Sequence, residues 1–161
     1  MSKFIRMEEG DQLAEKIQKI AAELNLTRYV DIQPRYLKKP MRNNVGGVWK
    51  WNDVSATLTN RDNTVVVGIY GEAFDRVDEE TQDFWIRNVL SQIEYDFDKD
   101  KISIIKDLIT IPLSVYQNYG EKAVQKKELE IHTINMLLEE EKERKQAEKE
   151  AKKASKKKNK A

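Results

Sequence analysis

The sequence predicts an α+β protein in which helices pack on a small, mostly antiparallel sheet and a long charged helix ends the chain. Three observations predict this class. Apolar residues recur at helical spacing in residues 11–25 and 78–95. Residues 48–58 alternate as in a strand, and residues 64–70 are β-branched and mostly apolar, so the two segments are expected to form a hairpin. After Leu138 apolar residues become rare, and glutamate and lysine follow one another at helical spacing.

Length and charge predict how the chain is divided. It has 161 residues, which suits one domain, and a net charge of +1. Residues 151–161 hold six lysines and no acid, so residues 1–150 carry −5. We expect a single α+β domain over residues 1–138, followed over residues 139–161 by a charged helical extension and a disordered lysine-rich tail.

Cysteine and histidine, which build many active sites, are scarce. The absence of cysteine excludes disulfides, zinc ribbons, iron–sulfur clusters and thiol catalysis. Because His132 is the only histidine, no metal site within one chain has two imidazole ligands. No apolar run approaches the roughly 18–20 residues of a membrane span, and the N-terminus lacks the apolar core of a signal peptide. We therefore expect a soluble, cytoplasmic protein without a membrane partner.

The first elements are a helix and a short strand. Five apolar residues share one face of a helix over residues 11–25, for which Asp11 is the N-cap and Asn25 the stop. A strand over residues 29–33 is expected to end at Pro34, because proline lacks the backbone N–H that a strand ladder uses.

A loop and a hairpin follow. Residues 35–47 are basic at first and then rich in asparagine and glycine, which favours a loop with the glycine pair at the entrance of a strand. Residues 48–58 and 64–70 are expected to pair as antiparallel strands through a turn at residues 60–63. The second strand is almost entirely apolar, which predicts a position inside the sheet.

The second half begins with a strong helical pattern over residues 78–95, whose acidic first turn complements the helix dipole. Two short strands are predicted at residues 101–105 and 108–111. A helical stretch opened by Pro112 follows, and Gly120 interrupts it.

The last helix is predicted to start near Glu121. Its apolar residues are expected to pack on the domain as one stripe: Val124, Ile131, Ile134 and Leu138. Residues 139–150 place glutamate four residues before lysine or arginine, which supports a helix that frays. Residues 155–161 are expected to be disordered.

The helix predicted over residues 78–95 follows a strand and carries polar residues at i, i+1 and i+4. Zinc peptidases place a His-Glu-x-x-His motif in this way, so that two histidines bind the metal and the glutamate acts as general base. Residues 69–82, Ile-Tyr-Gly-Glu-Ala-Phe-Asp-Arg-Val-Asp-Glu-Glu-Thr-Gln, and residues 115–120, Val-Tyr-Gln-Asn-Tyr-Gly, lie on either side of this segment. With these features, residues 12–120 resemble the zincin-like metallopeptidases encoded by bacteriophages.

The resemblance implies a zincin-like scaffold whose ligands have been replaced. Ser91 and Tyr95 occupy the two histidine positions, and Gln92 occupies that of the glutamate. In an alternative register Glu94 keeps the glutamate position, but apolar residues stand where ligands are needed. Residues 109–114, the region of the third ligand, hold no histidine. We therefore predict no catalytic residue, no metal and no cofactor, with Ser91, Gln92, Glu94 and Tyr95 as degenerate site positions.

Two further candidate groups receive structural interpretations. Asp96, Asp98 and Asp100 imitate the start of a calcium loop, but Lys101 replaces the glycine that such a loop needs. We interpret the segment as an exposed acidic turn. His132 is interpreted as a surface or core-edge residue of the last helix.

Two functional hypotheses follow. The first is a non-catalytic accessory or binding protein of phage type, located in the host cytoplasm, that acts on an unknown protein partner. The alternative is a nucleic-acid-associated protein, because basic side chains beside aromatic rings can contact phosphates and stack on bases. The candidate contacts of this alternative are Arg35, Lys38, Lys39, Arg42, Trp49, Lys50, Trp51, Lys156, Lys157 and Lys158.

Overall fold

Helices cover one face of a small mixed sheet, and a two-stranded hairpin lies beside the sheet edge. The computed structural model describes residues 3–51, 63–105 and 113–160. Its strands are β1 (Phe4–Arg6), β2 (Asp31–Leu37), β3 (Gly46–Lys50), β4 (Thr64–Ile69), β5 (Ile93–Asp96) and β6 (Lys101–Ile104). Its helices are α1 (Gln12–Glu23), α2 (Gly71–Phe74), α3 (Glu79–Leu90), α4 (Leu113–Tyr119) and α5 (Glu121–Lys158), with a 3-10 turn at Leu26–Arg28.

The sheet confirms the predicted α+β class. Its strand order is β1-β2-β4-β3, and β5 pairs with β6 separately. Three pairings are antiparallel and one, between β2 and β4, is parallel. The predicted hairpin is confirmed by β3 and β4, whose register runs from Gly46 opposite Ile69 to Lys50 opposite Val65. β4 lies inside the sheet, as predicted, and the turn expected at residues 60–63 lies mostly outside the described residues.

The predicted end of β2 at Pro34 is wrong, because the strand continues through this proline to Leu37. Pro34 lies opposite Val67 of β4 but just beyond the residues that pair with β1, the last of which is Arg35. A proline is tolerated in a strand where one side of its backbone has no partner. The first three residues of the predicted basic loop, residues 35–37, therefore belong to the sheet.

Helix α1 confirms its predicted cap. The Asp11 carboxylate accepts the backbone N–H groups of Leu13 at 2.9 Å and Ala14 at 3.1 Å. Its other oxygen accepts the Tyr36 hydroxyl at 2.7 Å, which ties α1 to β2. Burial and this hydrogen bond raise the pKa of Tyr36 above its ordinary value.

The core lies between the helices and one face of the sheet. Ile32, Val65 and Val67 share that face and are almost fully buried. Helices α1 and α3 pack on each other above it and contribute fully buried side chains such as Ile17 and Trp85. The Trp85 indole N–H donates to the carbonyl oxygen of Lys126 at 3.0 Å, so α5 is attached to the same core.

The prediction that the second helix reaches residue 95 is wrong. α3 ends at Leu90, and residues 93–96 form β5, which pairs with β6. The apolar residues Ile93, Tyr95 and Phe97 fit the two-residue period of a strand as well as a helical pattern, so periodicity alone misassigned them. The predicted strand at residues 101–105 is confirmed as β6, whereas the one at residues 108–111 lies outside the described residues.

The last helix confirms the break at Gly120, which has a φ of +57°. The predicted apolar stripe is wrong in part: Ile134 is buried and Leu138 packs against the core, but Val124 is 45% exposed. The buried face of α5 is made instead by Ala123, Lys126, Lys127, Glu130, Thr133, Ile134 and Leu137. This face includes charged residues that pair with each other or with the body. A search for apolar residues at helical spacing therefore does not identify it.

Helix α5 also continues further than expected. It remains helical to Lys158, so residues 155–158, expected to be disordered, are part of it. Residues 142–160 are all exposed, and we call them the arm. In the part of the chain that the structure describes, no helix is both long and apolar enough to cross a membrane.

Candidate nucleic-acid interface

The four degenerate site positions do not share a helix face. Ser91 caps the C-terminus of α3, where its hydroxyl donates to the Arg87 carbonyl oxygen at 2.6 Å. Gln92 lies in the following turn, and Glu94 and Tyr95 lie on β5. Because the helix has ended, Ser91 and Tyr95 are not one helical turn apart, as two ligands of a zincin-like site must be.

The acidic turn between β5 and β6 is closed by hydrogen bonds from its own backbone to the Asp96 side chain. The Asp96 carboxylate accepts the backbone N–H groups of Asp98 at 3.0 Å and Lys99 at 3.3 Å. Within residues 3–51, 63–105 and 113–160, no group of three or more His, Cys, Asp or Glu residues is arranged to hold a metal ion. His132 lies exposed on α5.

The sheet face away from the helices carries a pair of arginines. Arg6 of β1 and Arg35 of β2 lie directly opposite each other in the register. Like charges in this position repel, and neither arginine forms an ion pair with a carboxylate of the described residues. The Arg35 guanidinium donates to the Pro34 carbonyl oxygen at 2.7 Å, which holds it at the surface.

Trp49 lies on the same sheet face and is already in contact on several sides. Phe4 meets it edge-on with ring centroids 5.0 Å apart, and the Lys3 ammonium lies 4.1 Å from its ring centroid. Its ring also lies over Gly68, where a Cβ atom would come within 2.8 Å of it. The Trp49 ring is therefore in contact with the Lys3 ammonium and is not free to stack on a nucleic-acid base.

Lys50 and Trp51, the predicted nucleic-acid contacts that follow Trp49 in the chain, lie in different surroundings. Lys50 follows Trp49 in β3 and points to the opposite, helix-covered face of the sheet. Trp51 is half-buried, and its indole nitrogen is buried without a hydrogen-bond partner among the described residues. The structure therefore does not bring Lys50 onto one surface with Arg35 and Trp49.

The turn after β2 extends the positive charge of the arginine face. Lys38, Lys39 and Arg42 are exposed there, and the Lys38 backbone N–H donates to the Lys3 carbonyl oxygen at 3.0 Å. The side chains that form this cluster, which we call the basic patch, are Lys3, Arg6, Arg35, Lys38, Lys39 and Arg42.

Lys39 of the basic patch lies near Glu141, at the base of the arm. Lys145 donates to the Glu141 carboxylate at 2.7 Å and holds the pKa of Glu141 below its ordinary value. Lys39 and Arg144 also lie near enough to lower this pKa. Glu141 is thus paired with the first turn of the arm and lies within electrostatic range of a lysine of the basic patch.

The arm carries its lysines mainly on one side. Residues three or four apart on a helix lie on one face. The lysines that follow this spacing form a row, which we call the lysine row: Lys142, Lys145, Lys149, Lys152, Lys153 and Lys156. At about 1.5 Å per residue the row is about 21 Å long. Of the predicted contacts, Lys156 lies in the row, Lys157 at its margin and Lys158 on the other side, with Ala147, Ala151 and Ala154.

An ion pair and a hydrogen bond fix α5, and with it the arm, to the body. The Arg76 guanidinium binds both carboxylate oxygens of Glu140, at 2.9 and 3.2 Å. Deeper in the helix, the Lys127 ammonium lies 2.9 Å from the Glu130 carboxylate, and both side chains are almost fully buried. Lys127 also donates to the Asn44 side chain at 3.4 Å, beside the start of β3. These contacts set the direction in which the arm leaves the domain.

Three features of this region were not predicted from the sequence. Lys3 and Arg6 were overlooked because the short strand β1 was not predicted. The lysine row was visible in the spacing of residues 142–156, but the prediction considered only the last lysines. The buried pair of Lys127 and Glu130 left a weaker signal, two opposite charges three residues apart on the packed side of the helix.

Comparison of the chain with protein-family models, with curated proteins and with solved structures finds no match. The relationship to the zincin-like phage peptidases therefore stays a prediction.

Proposed function

We propose that the protein binds the phosphate backbone of nucleic acid through the basic patch and the lysine row. The observation that carries the proposal is the lysine row, which lies along one side of a helical arm whose residues are all exposed. Lys39 of the basic patch is near enough to Glu141, at the base of the arm, to lower the pKa of Glu141, so two basic segments that are far apart in the sequence lie near each other. A phosphate backbone presents regularly spaced negative charges to such a surface.

The charge of the two parts of the molecule supports this role. Residues 142–160 contain nine lysines, one arginine and three glutamates, a net charge of +7. The remainder of the chain therefore carries −6. A polyanion is attracted to the arm and repelled by most of the body, so it approaches along the basic side.

The chemistry of the surface favours binding that does not depend on base sequence. Lysine ammonium groups are mobile point charges that pair with phosphates, and Trp49, the aromatic ring nearest to the basic patch, is already covered. Each phosphate that the surface neutralises releases counterions, so affinity should fall steeply with salt. This binding role is compatible with the accessory function predicted from the sequence.

The test compares two variants that each lose four positive charges. In the arm variant glutamine replaces Lys149, Lys152, Lys153 and Lys156. In the control variant glutamine replaces Lys19, Lys50, Lys122 and Lys158, which are also exposed but lie outside the proposed surface. Glutamine is as good a helix former as lysine, so α5 should persist in both.

Binding is measured by fluorescence anisotropy with a labelled duplex of mixed sequence, in a salt titration that starts at about 50 mM. We expect the arm variant to bind at least about tenfold more weakly and to lose about three to four from the slope of log K against log salt. The control variant should keep most of the wild-type affinity. Equal losses in the two variants would show that net charge alone is responsible and would contradict the proposal, as would a wild-type protein that does not bind.

A further inference from the structure

Three aromatic rings, two on the β5–β6 hairpin and one from the segment before β2, contact one another and are partly exposed. The Tyr29 and Tyr95 rings stack with centroids 4.9 Å apart, and Phe97 meets each of them edge-on at 5.0 Å. Phe97 is 69% exposed and Tyr29 is 40% exposed. Exposed aromatic residues of this size that lie together are typical of interaction surfaces.

Carboxylates lie beside these rings. Asp100 accepts hydrogen bonds from the Tyr95 hydroxyl and from the Asn63 side chain, and Asp96 and Asp98 lie in the same turn. None of the three aspartates forms an ion pair within the described residues. We call these six residues the hairpin surface: Tyr29, Tyr95, Asp96, Phe97, Asp98 and Asp100.

Residues 94–101 of the hairpin hold four carboxylates and two lysines, a net charge of −2, which favours a cationic occupant. An ammonium group is attracted both to aspartate carboxylates and to the faces of aromatic rings. The apolar stem of a lysine can lie along the rings while its charge reaches a carboxylate. A row of lysines on a rigid helix would therefore fit this surface better than an apolar or acidic segment.

The chain itself carries such a row on the arm. In the structure every residue of the arm is exposed, so the arm does not contact the hairpin surface of its own molecule. The continuous helix α5, fixed at its base by the pair of Arg76 and Glu140, does not bend back toward the domain. An arm that occupies a hairpin surface must therefore come from a second copy.

We infer that the protein associates with itself head to tail, the lysine row of one copy docking on the hairpin surface of the next. The two contacting surfaces differ, so a pair of copies joined by one such contact keeps one free arm and one free hairpin surface, to which further copies can add. The association does not depend on the proposed function. If that function holds as well, nucleic acid competes for the same lysines and disperses the assemblies.

The experiment is a complementation test by sedimentation velocity. The hairpin variant carries Phe97→Ala, Asp98→Asn and Asp100→Asn, and the arm variant is the one described above. A control variant carries Val124→Ala and Glu128→Gln, which change another exposed apolar side chain and an exposed carboxylate elsewhere. Circular dichroism of each variant checks that it is folded.

Wild type and the control variant should form assemblies that grow with protein concentration at about 50 mM salt and dissociate at about 200 mM. The hairpin variant alone and the arm variant alone should remain monomeric. An equimolar mixture of the two should form a one-to-one dimer and nothing larger, because it contains one functional arm and one functional hairpin surface. A mixture that stays monomeric overturns the inference, and so does a wild-type protein that does not associate.

The same proteins separate this inference from the proposed function. The hairpin variant should bind nucleic acid at least as well as wild type, because its arm is unchanged. If wild type binds nucleic acid but does not associate, only the inference fails. If it associates but does not bind nucleic acid, only the proposed function fails.

Discussion

Glu130 shows how one residue can join two distant parts of the chain. Its carboxylate is almost fully buried, and it accepts from the Lys127 ammonium and from the Val45 backbone N–H. One carboxylate oxygen, Oε2, has no hydrogen-bond partner within the described residues. Burial therefore raises the pKa of Glu130 above the ordinary 4.5, although Lys127 and Val45 act in the opposite direction.

This raised pKa predicts a pH dependence of stability. The folded protein holds a proton on Glu130 more tightly than the unfolded chain, so the contribution is full below pH 4.5 and is lost as pH rises through the raised folded pKa. Glu130→Gln removes this titration while keeping an oxygen for Lys127. Measured by urea unfolding from about pH 5 to about pH 8, the free energy of unfolding of the variant should rise relative to that of wild type.

The control for this prediction is Glu128→Gln, which changes an exposed carboxylate on the same helix. Its difference from wild type should stay constant over the same pH range. If the difference between Glu130→Gln and wild type falls as pH rises, the ion pair with Lys127 outweighs burial.

At the scale of the elements, the close pairing of β3 with β4 depends on glycine. A Cβ atom on Gly46 would lie 2.5 Å from the carbonyl oxygen of Gly68, a backbone atom that is held in the sheet. A Cβ atom on Gly47 would meet only the side chains of Trp49, at 3.1 Å, and Met41, at 3.4 Å. The two adjacent glycines therefore have different reasons to be glycine, although both lie in β3.

This difference predicts unequal effects of alanine. Gly46→Ala should lower the free energy of unfolding by about 2–3 kcal/mol, because the clash with a fixed backbone atom forces the strands apart. Gly47→Ala should cost less than about 1 kcal/mol, because side chains can move. Urea unfolding of both variants measures the difference, and equal costs would contradict the β3–β4 register.

At the scale of the whole molecule, the chain separates into an acidic body of net charge −6 and an arm of net charge +7. The division lies near Glu141, beyond which every residue as far as residue 160 is exposed. The buried residues of α5 end with Leu137, so the arm adds no apolar burial to the core. The fold therefore does not depend on the arm for its buried apolar core.

A truncation tests this separation. A chain that ends at Glu141 should keep the free energy of unfolding of the full chain within about 1 kcal/mol, because exposed residues contribute little to stability. It should also lose most of its affinity for nucleic acid in the anisotropy assay. A chain that ends at Gly120 should fail to fold, because it lacks the buried residues Ile134 and Leu137. A large loss of stability in the chain that ends at Glu141 would show that the arm belongs to the folding unit.

The amino-acid sequence by itself determined the elements whose signals are local. The Asp11 cap, the alternation that forms β3 and β4, the break at Gly120 and the charge of the C-terminal segment can all be found within a few residues. Caps, periodicity and charge depend on neighbours in the chain, so a single sequence is enough to find them.

Only the tertiary structure decided where these elements meet. α3 ends at Leu90 because Ile93 and Tyr95 pair with β6 instead of continuing the helix, and a helical pattern does not exclude that choice. The buried face of α5 is set by Lys127 and Glu130, whose charges are satisfied partly by residues before β3. The proximity of Lys39 to Glu141, at the base of the arm, is likewise decided by the tertiary structure. These contacts join residues far apart in the chain, and local periodicity carries no information about them.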